Sequence, residues 1–217
     1  MRESVIERIL DQKVIAIVRK LDAQHLQNLA VALLAGGISL IEVTFDQSNP
    51  DSWVQTCEGI RLLNSRFADV VTPGAGTVLT LQQLTLAHEA GARYIISPDA
   101  NPIIIRKARE LGLVSIPGCM TPTDIVSTLQ AGADFIKIFP AGSLGTDYIN
   151  AVRAPLSHAK MLAVGGVDER NAGDYIRAGC VGIGAGGKLV NKEWIEAGAF
   201  EKITQLARAY QRAISPT

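Results

Sequence analysis

Residues 30–44, AVALLAGGISLIEVT, join the end of a helical segment to the start of a strand. The first half repeats apolar residues at helical spacing and closes on Ala35-Gly36, where a glycine just past a helix end turns the chain with little strain. The second half, residues 39–44, is a short run of β-branched and apolar residues, as in a buried strand. A helix that leads directly into such a strand is typical of a parallel sheet built from βα units.

The same junction recurs along the chain. Alanine-glycine pairs at 90–91, 131–132 and 178–179 each close a helical segment a few residues before a strand, and Gly112 does so without the alanine. Chance pairing in a chain with 20 glycines is the alternative explanation. Strands are predicted at 14–18, 39–44, 70–72, 93–97, 114–116, 135–139, 161–164 and 181–183. Helices are predicted near 22–36, 51–66, 80–90, 101–111, 121–131, 146–153, 168–178 and 198–212.

Eight strands, each followed by a helix, predict a (β/α)8 TIM barrel. We expect a single domain that spans residues 1–217, since no linker or low-complexity stretch suggests a second one. Residues 2–11 form an additional amphipathic segment, which we expect to be a helix that closes the N-terminal mouth of the barrel. With 47% hydrophobic residues, the chain can fill one such core.

The charge balance and the apolar stretches exclude several classes of partner. Basic and acidic residues each number 21, so the chain has no net charge to attract it to nucleic acid or to an anionic membrane. The first residues lack the apolar core of a signal peptide, and no apolar stretch approaches the roughly 20 residues of a membrane span. We therefore expect a cytoplasmic protein with no nucleic-acid or membrane partner.

Neither a metal nor a cofactor is expected from the sequence. Cys57, Cys119 and Cys180 are far apart and odd in number, which favours reduced thiols over a zinc site or a disulfide framework. The histidines at 25, 88 and 158 have no metal-binding spacing and no carboxylate cluster beside them. Residues 182–187 match the spacing G-x-G-x-x-G, but no βαβ unit follows that could complete a dinucleotide site.

The first candidate for chemistry is Lys137, because active sites of such barrels lie at the carboxyl ends of the strands. Strand alternation in FIKIF, residues 135–139, places Lys137 on the same face as Phe135 and Phe139. If that face is the barrel interior, burial disfavours the ammonium ion, lowers the pKa of the amine and makes it a nucleophile for ketones. The alternative is a lysine that faces outward, with its stem buried and its head in water.

Glu42 is the second candidate, since it interrupts an apolar strand on the face of Leu40 and Thr44. A carboxylate in such a strand needs a partner or a proton. Near Lys137 it could transfer protons as a general acid and base. The alternative is a structural ion pair, for example with Arg19 at the end of the first strand.

Two glycine-rich turns follow the last two predicted strands, at Gly165-Gly166 and at residues 184–187. Loops in these positions often bind phosphate through exposed backbone N–H groups, so the turns predict an anion site. The alternative is that the glycines serve only tight turns. Lys188, directly after the second turn, could add a positive charge to the site or could be a solvated surface lysine.

Taken together and in order, several segments resemble the 2-keto-3-deoxy-6-phosphogluconate (KDPG) and 4-hydroxy-2-oxoglutarate (KHG) aldolase family. They are GGISLIEVT at 36–44, GAGTVL at 74–79, ISP at 96–98, PG at 117–118, FIKIFPA at 135–141 and GGV at 165–167. The resemblance implies a metal-free class I aldolase of a trimeric barrel family. Such an enzyme makes or breaks the bond between pyruvate and an aldehyde such as glyceraldehyde 3-phosphate, and some members cleave 4-hydroxy-2-oxoglutarate.

The resemblance also implies roles for individual residues. Lys137 matches the Schiff-base lysine, Glu42 the general acid and base, and Arg19 a residue that receives the pyruvate carboxylate. Thr44, Thr77, Pro98 and Phe139 match substrate-binding positions, and Gly165, Gly166, Gly186, Gly187 and Lys188 are the expected phosphate-binding residues.

Three positions depart from the gluconate-type pattern. Asp46 stands where many such members have an arginine, and Val164 and Gly187 stand where hydroxyl donors are common. The AVGGV form at 163–167 is similar to the galactonate-type (KDPGal) branch, whose substrate differs in configuration at C4.

We therefore expect an aldehyde-lyase that cleaves a 2-keto-3-deoxy-6-phospho sugar acid, with a KDPGal-specific or unphosphorylated substrate as alternatives. A phosphate-binding transferase or epimerase, in which Lys137 only balances charge, is an alternative of another class. A barrel that binds a keto acid without turnover is a further one.

Overall fold

The computed structural model describes residues 2–215, and nine parallel strands within that range form a nearly closed barrel surrounded by helices. The strands are β1 (Val14–Val18), β2 (Leu40–Thr44), β3 (Thr72–Gly76), β4 (Tyr94–Ile96), β5 (Val114–Ile116), β6 (Gly118–Cys119), β7 (Ile136–Ile138), β8 (Met161–Val164) and β9 (Gly182–Ala185). The helices are α1 (Arg2–Gln12), α2 (Ala23–Ala35), α3 (Trp53–Arg66), α4 (Leu81–Glu89), α5 (Pro102–Glu110), α6 (Pro122–Gln130), α7 (Ala141–Arg153), α8 (Ala172–Arg177), α9 (Lys192–Glu196) and α10 (Phe200–Ile214). The predicted (β/α)8 barrel is confirmed, and Met1, Pro216 and Thr217 of the predicted domain lie outside the described residues.

The fifth predicted strand, 114–116, is confirmed as β5, and a further two-residue strand, β6, follows it, which explains nine strands where eight were expected. Pro117 separates β5 from β6; β5 pairs with β4, whereas β6 pairs with β7. The strand order is β5-β4-β3-β2-β1-β9-β8-β7-β6, so the ends of the sheet meet at this proline. Its carbonyl oxygen accepts a hydrogen bond from the Lys137 N–H at 2.8 Å, which joins the two edges.

The third strand lies further along the chain than predicted, at Thr72–Gly76 instead of 70–72. Its sequence, TPGAG, has low β-propensity, so the local pattern favoured the valines before it. Pairing with β2 and β4 on both sides supplies the strand conformation that the sequence does not favour.

Two apolar layers fill the molecule. The barrel interior holds a compact cluster to which α1 contributes Val5, Ile6 and Ile9, so the predicted N-terminal helix packs into the barrel interior. A larger layer lies between the barrel wall and the outer helices. Within residues 2–215, no helix is both long enough and apolar enough to span a membrane.

Helix α8 is shorter than the predicted 168–178, because residues 168–171 form a turn before it. The Asp168 carboxylate accepts the N–H groups of Arg170 and Asn171, and the Asp168 N–H donates to Asn171 Oδ1 at 2.8 Å. Helix α7 is kinked at Gly145, whose backbone is not helical (φ 76°, ψ 173°), so a short helical turn precedes the helix predicted at 146–153. A short helix, α9, precedes the last one.

Candidate active site

A cavity of about 370 Å³ opens at the carboxyl ends of the strands. Ten of the twelve predicted site residues line it, although they come from distant parts of the sequence. The lining consists of Ile17, Arg19, Thr77, Pro98, Lys137, Phe139, Val164, Gly165, Gly166, Val167, Gly184, Gly186, Gly187 and Lys188.

Lys137 lies in the interior wall of this cavity. It is in register with Leu162 of β8, whose side chain belongs to the interior cluster, so both side chains face inward. The residue is 7% exposed, and its Nζ lies 4.6 Å from the centroid of the Phe139 ring. The structure thereby excludes the outward-facing alternative.

Glu42 lies deeper on the same interior face. It is 2% exposed, and β2 places it between Ile17 of β1 and Gly74 of β3. Its carboxylate extends over Gly76, where a side chain would collide with it: an added Cβ would lie 1.7 Å from Oε1. Among residues 2–215, Glu42 forms no ion pair within 4.0 Å, so the structural ion pair with Arg19 is not formed.

Burial governs the protonation of both groups. It lowers the pKa of the Lys137 ammonium; the charge of Glu42 opposes this shift, and Arg19 adds to it. Burial likewise raises the pKa of the Glu42 carboxyl, against the attraction of Lys137 and Arg19. The two shifts favour a neutral amine beside a carboxyl that can gain or lose a proton, which are the states needed to attack a carbonyl and to move protons.

The predicted pocket residues divide between the cavity and a neighbouring cleft. Arg19, Thr77, Pro98 and Phe139 line the cavity, whereas Thr44 lines a separate cleft beside it. The Thr44 hydroxyl donates to the carbonyl of Val18 at 3.1 Å. The structure thus brings ten of the predicted residues to one cavity, whereas Thr44 and Glu42 lie outside its lining.

The two glycine-rich turns both line the cavity, and three of their carbonyls accept hydrogen bonds within the protein. Gly165 O accepts the Gly142 N–H at 2.7 Å, and Gly166 O accepts Asn171 Nδ2 at 3.0 Å. In the second turn, Gly186 O accepts the N–H groups of residues 189 and 190. Within residues 2–215, the N–H groups of the four glycines predicted to bind phosphate donate to no other backbone group, so they can serve an anion.

Asp168 is a site residue that the sequence did not single out. Its side chain is 8% exposed and pairs with Lys188 Nζ and, at 2.9 Å, with Arg170. These hydrogen bonds, chiefly the one from Lys188, hold the pKa of the Asp168 carboxyl well below its usual range. The sequence signal was present as an Asp three residues before an Asn at a helix start, a spacing typical of a capped turn. The charge of Lys188 is therefore shared with a buried carboxylate.

Asp46 lies at the mouth of the neighbouring cleft and is already engaged. Its Oδ2 pairs with Lys20 Nζ at 2.8 Å, and its Oδ1 accepts the N–H and hydroxyl of Ser48. Lys20, followed by Ser48, lowers the pKa of Asp46 to about 2. Within the described residues, no group of three or more His, Cys, Asp or Glu side chains has the arrangement of a metal site.

The fold and the cavity define a (β/α)8 barrel with a buried lysine and carboxylate at the carboxyl ends of its strands. The family model for KDPG and KHG aldolase matches residues 5–206 of this chain. The chain therefore belongs to the KDPG and KHG aldolase family, whose relatives with curated names are carbon–carbon lyases.

Three comparisons place the chain within that family. A probable 2-dehydro-3-deoxy-6-phosphogalactonate aldolase of Rhizobium meliloti is 34% identical over 83% of this chain and 82% of its own length. A 2-dehydro-3-deoxy-phosphogluconate aldolase of Treponema pallidum is 32% identical over 94% of this chain and 95% of its own length. The KDPG aldolase of Legionella pneumophila, solved with pyruvate captured as a covalent carbinolamine, superposes with a TM-score of 0.84 at 27% identity, covering 97% and 98% of the two chains.

Proposed function

We propose that this chain cleaves a 2-keto-3-deoxy-6-phospho sugar acid into pyruvate and glyceraldehyde 3-phosphate by way of a Schiff base on Lys137. The observation that carries the proposal is the buried lysine at the cavity, whose pKa is lowered by burial and which shares the barrel interior with Glu42. The carbinolamine captured in the Legionella enzyme is the intermediate that such a lysine forms with pyruvate.

In the proposed reaction the neutral Lys137 amine attacks C2 of the keto acid, and the carbinolamine takes up one proton from solvent and loses water, which leaves a protonated imine. Glu42 accepts the proton of the C4 hydroxyl while the C3–C4 electron pair moves toward the imine, which releases the aldehyde. Glu42 then returns the proton to C3 of the enamine, and water hydrolyses the resulting imine to free pyruvate and the amine. Its raised pKa suits both directions of proton transfer.

The remaining cavity residues are assigned to substrate binding. We assign Arg19 to the pyruvate carboxylate, since it lines the cavity and its charge acts on both Lys137 and Glu42. Thr77, Pro98 and Phe139 shape the cavity, and Thr44 supports its wall from the neighbouring cleft.

We assign the substrate phosphate to the N–H groups of Gly165, Gly166, Gly186 and Gly187, with Lys188 beside them. The N–H groups of these glycines donate to no other backbone group within residues 2–215, which supports this assignment, and Lys188 lines the cavity beside them. Asp46 is not assigned to the substrate, because it lines the neighbouring cleft instead of the cavity and pairs there with Lys20.

Borohydride reduction with pyruvate tests the mechanism. We expect one reduced pyruvate per chain, attached to Lys137 in the peptide map, and no labelling or carbon–carbon cleavage in Lys137→Ala. Residual activity of that variant within tenfold of wild type, or labelling of another lysine, contradicts the proposal. Labelling without turnover on any keto acid would instead indicate a binding protein.

Cleavage of KDPG, KDPGal and 4-hydroxy-2-oxoglutarate under identical conditions tests the substrate. Relatives of both sugar branches match at similar identity, so we commit to the 6-phosphorylated class and let this comparison decide the configuration at C4. We further propose a cytoplasmic homotrimer with one catalytic domain per chain, on the strength of the family resemblance. Light scattering after gel filtration checks the trimer.

A further inference from the structure

Beneath the cavity, one tyrosine lies within the apolar interior of the barrel. Tyr94 of β4 is fully buried in the interior cluster, among residues such as Ile9, Leu40 and Phe135. Its hydroxyl finds no hydrogen-bond partner among residues 2–215, and neither does Glu42 Oε2. Buried polar atoms without partners are rare in folded proteins, so two of them in one interior require an explanation.

The glycines of β3 bring these two side chains toward each other. Gly74 is in register with Glu42 on one side and with Tyr94 on the other. A Cβ on Gly74 would lie 2.4 Å from Tyr94 Cζ, the atom that carries the hydroxyl, and a Cβ on Gly76 would meet the Glu42 carboxylate. Both side chains therefore lie over the same strand, in the space that side chains at positions 74 and 76 would otherwise fill.

We propose that Tyr94 is a positioning residue whose hydroxyl donates a hydrogen bond, through one buried water, to Glu42 Oε2. A single water can satisfy both atoms, because buried waters typically bridge polar groups that lack protein partners. The hydrogen bond would fix the carboxylate from below while Lys137 faces it from the cavity.

The surrounding charges determine whether this hydrogen bond raises or lowers the pKa of Glu42. The charged groups that act on Glu42 are Lys137 of β7 and Arg19 of β1; β3 contributes only glycines at this level, and α1 contributes apolar side chains. Burial and the charge of Glu42 both raise the pKa of Tyr94, so its hydroxyl remains protonated and can donate. A hydrogen bond to the ionised carboxylate favours that form and lowers the pKa of Glu42, against the effect of burial.

The consequence for catalysis rests on the proposed function, in which ionised Glu42 accepts a proton. Tyr94→Phe removes the hydroxyl and little else. We expect the acidic limb of the kcat/KM profile to move up by about one pH unit, with kcat falling about tenfold at acidic pH. KM and borohydride trapping of pyruvate should change less than about twofold, because Tyr94 touches neither substrate nor Lys137.

Ser115→Ala is the matched control, since Ser115 on β5 carries another fully buried hydroxyl without a hydrogen-bond partner among the described residues. It alternates with Val114 and Ile116, which belong to the interior cluster, so it faces the outer helices. Its variant should keep the wild-type profile. Adding Tyr94→Phe to Glu42→Gln should have no further effect on kcat, because the hydroxyl acts through that carboxylate.

Each outcome decides the inference. An unchanged pH profile in Tyr94→Phe, or an equal shift in Ser115→Ala, overturns it, as does a high-resolution crystal structure in which no water contacts both Tyr94 Oη and Glu42 Oε2. If the wild-type enzyme traps no pyruvate, the proposed function is overturned instead. Failure of the Tyr94 inference and failure of the proposed function are therefore distinguishable.

Discussion

The Glu42 carboxylate occupies the space that a side chain at position 76 would fill. A Cβ on Gly76 would lie 1.7 Å from Glu42 Oε1 and 2.5 Å from Cδ, closer than any nonbonded atoms can approach. The Glu42 side chain of β2 can therefore adopt this position only because residue 76 of β3 has no side chain. The orientation of the proposed acid–base group depends on the smallest residue of the neighbouring strand.

Gly76→Ala should displace the Glu42 carboxylate and lower kcat by roughly 10²-fold, since a displacement of about 1 Å in a reacting group can have that effect. Steady-state kinetics on the cleaved sugar acid measures it. In a Glu42→Gln background the same change should have little further effect, because the group that it displaces has lost its function. Equal losses in both backgrounds would argue against the steric link.

Glu42→Gln should lower turnover by about 10² to 10⁴-fold while the protein stays folded, because it removes the proposed proton acceptor and keeps the shape of the side chain. Since burial raises the pKa of Glu42, the acidic limb of the wild-type kcat/KM profile should lie above the usual range of a glutamate. That limb should disappear in the variant. A circular dichroism spectrum and an unfolding curve like those of wild type provide the control.

Lys188→Ala should raise KM for a phosphorylated substrate by roughly ten to a hundredfold. The reason is the loss of one hydrogen bond to a charged group, which contributes about 1.5 to 3 kcal/mol to binding. Pyruvate trapping should remain unchanged. Lys20→Ala is the matched control, because Lys20 also pairs with an aspartate, Asp46, but does not line the cavity. Equal KM changes in the two variants, or none in Lys188→Ala, would favour an unphosphorylated substrate.

Asp168→Asn should lower the free energy of unfolding by about 1 to 3 kcal/mol, since the carboxylate holds two backbone N–H groups and two cations. The folded-state pKa of Asp168 is lowered, so its stabilisation is present above the unfolded-state pKa and is lost as the pH falls toward the folded-state value. Thermal unfolding from pH 7 down to pH 2 should show wild type and variant converging. A constant difference across that range would contradict the assignment.

The repeated junctions and the alternation of the strands were sufficient to predict the barrel, the N-terminal helix and the shared faces of Lys137 and Glu42, whereas the roles of the substrate-binding residues rested on the family resemblance. Alternation alone placed Lys137 with Phe135 and Phe139, and Glu42 with Leu40, on faces that the structure turns inward. Such features are local, because a strand's pleat and a helix's last turn depend on residues only a few positions apart. Which face of a strand becomes the barrel interior is determined by closure of the sheet. For this reason the sequence alone could not exclude the alternative in which Lys137 faces outward.

Closure of the barrel decided the remaining features. The additional strand β6 follows Pro117 and places the two sheet edges side by side, and the glycine strand β3 forms because β2 and β4 enclose it. Asp168 pairs with Lys188, which is 20 positions away in the sequence. Tyr94 lies at the same height in the barrel as Glu42, because both are in register with Gly74 of the strand between them. No local pattern encodes these contacts, because each depends on the distance between chain segments that only tertiary packing brings together.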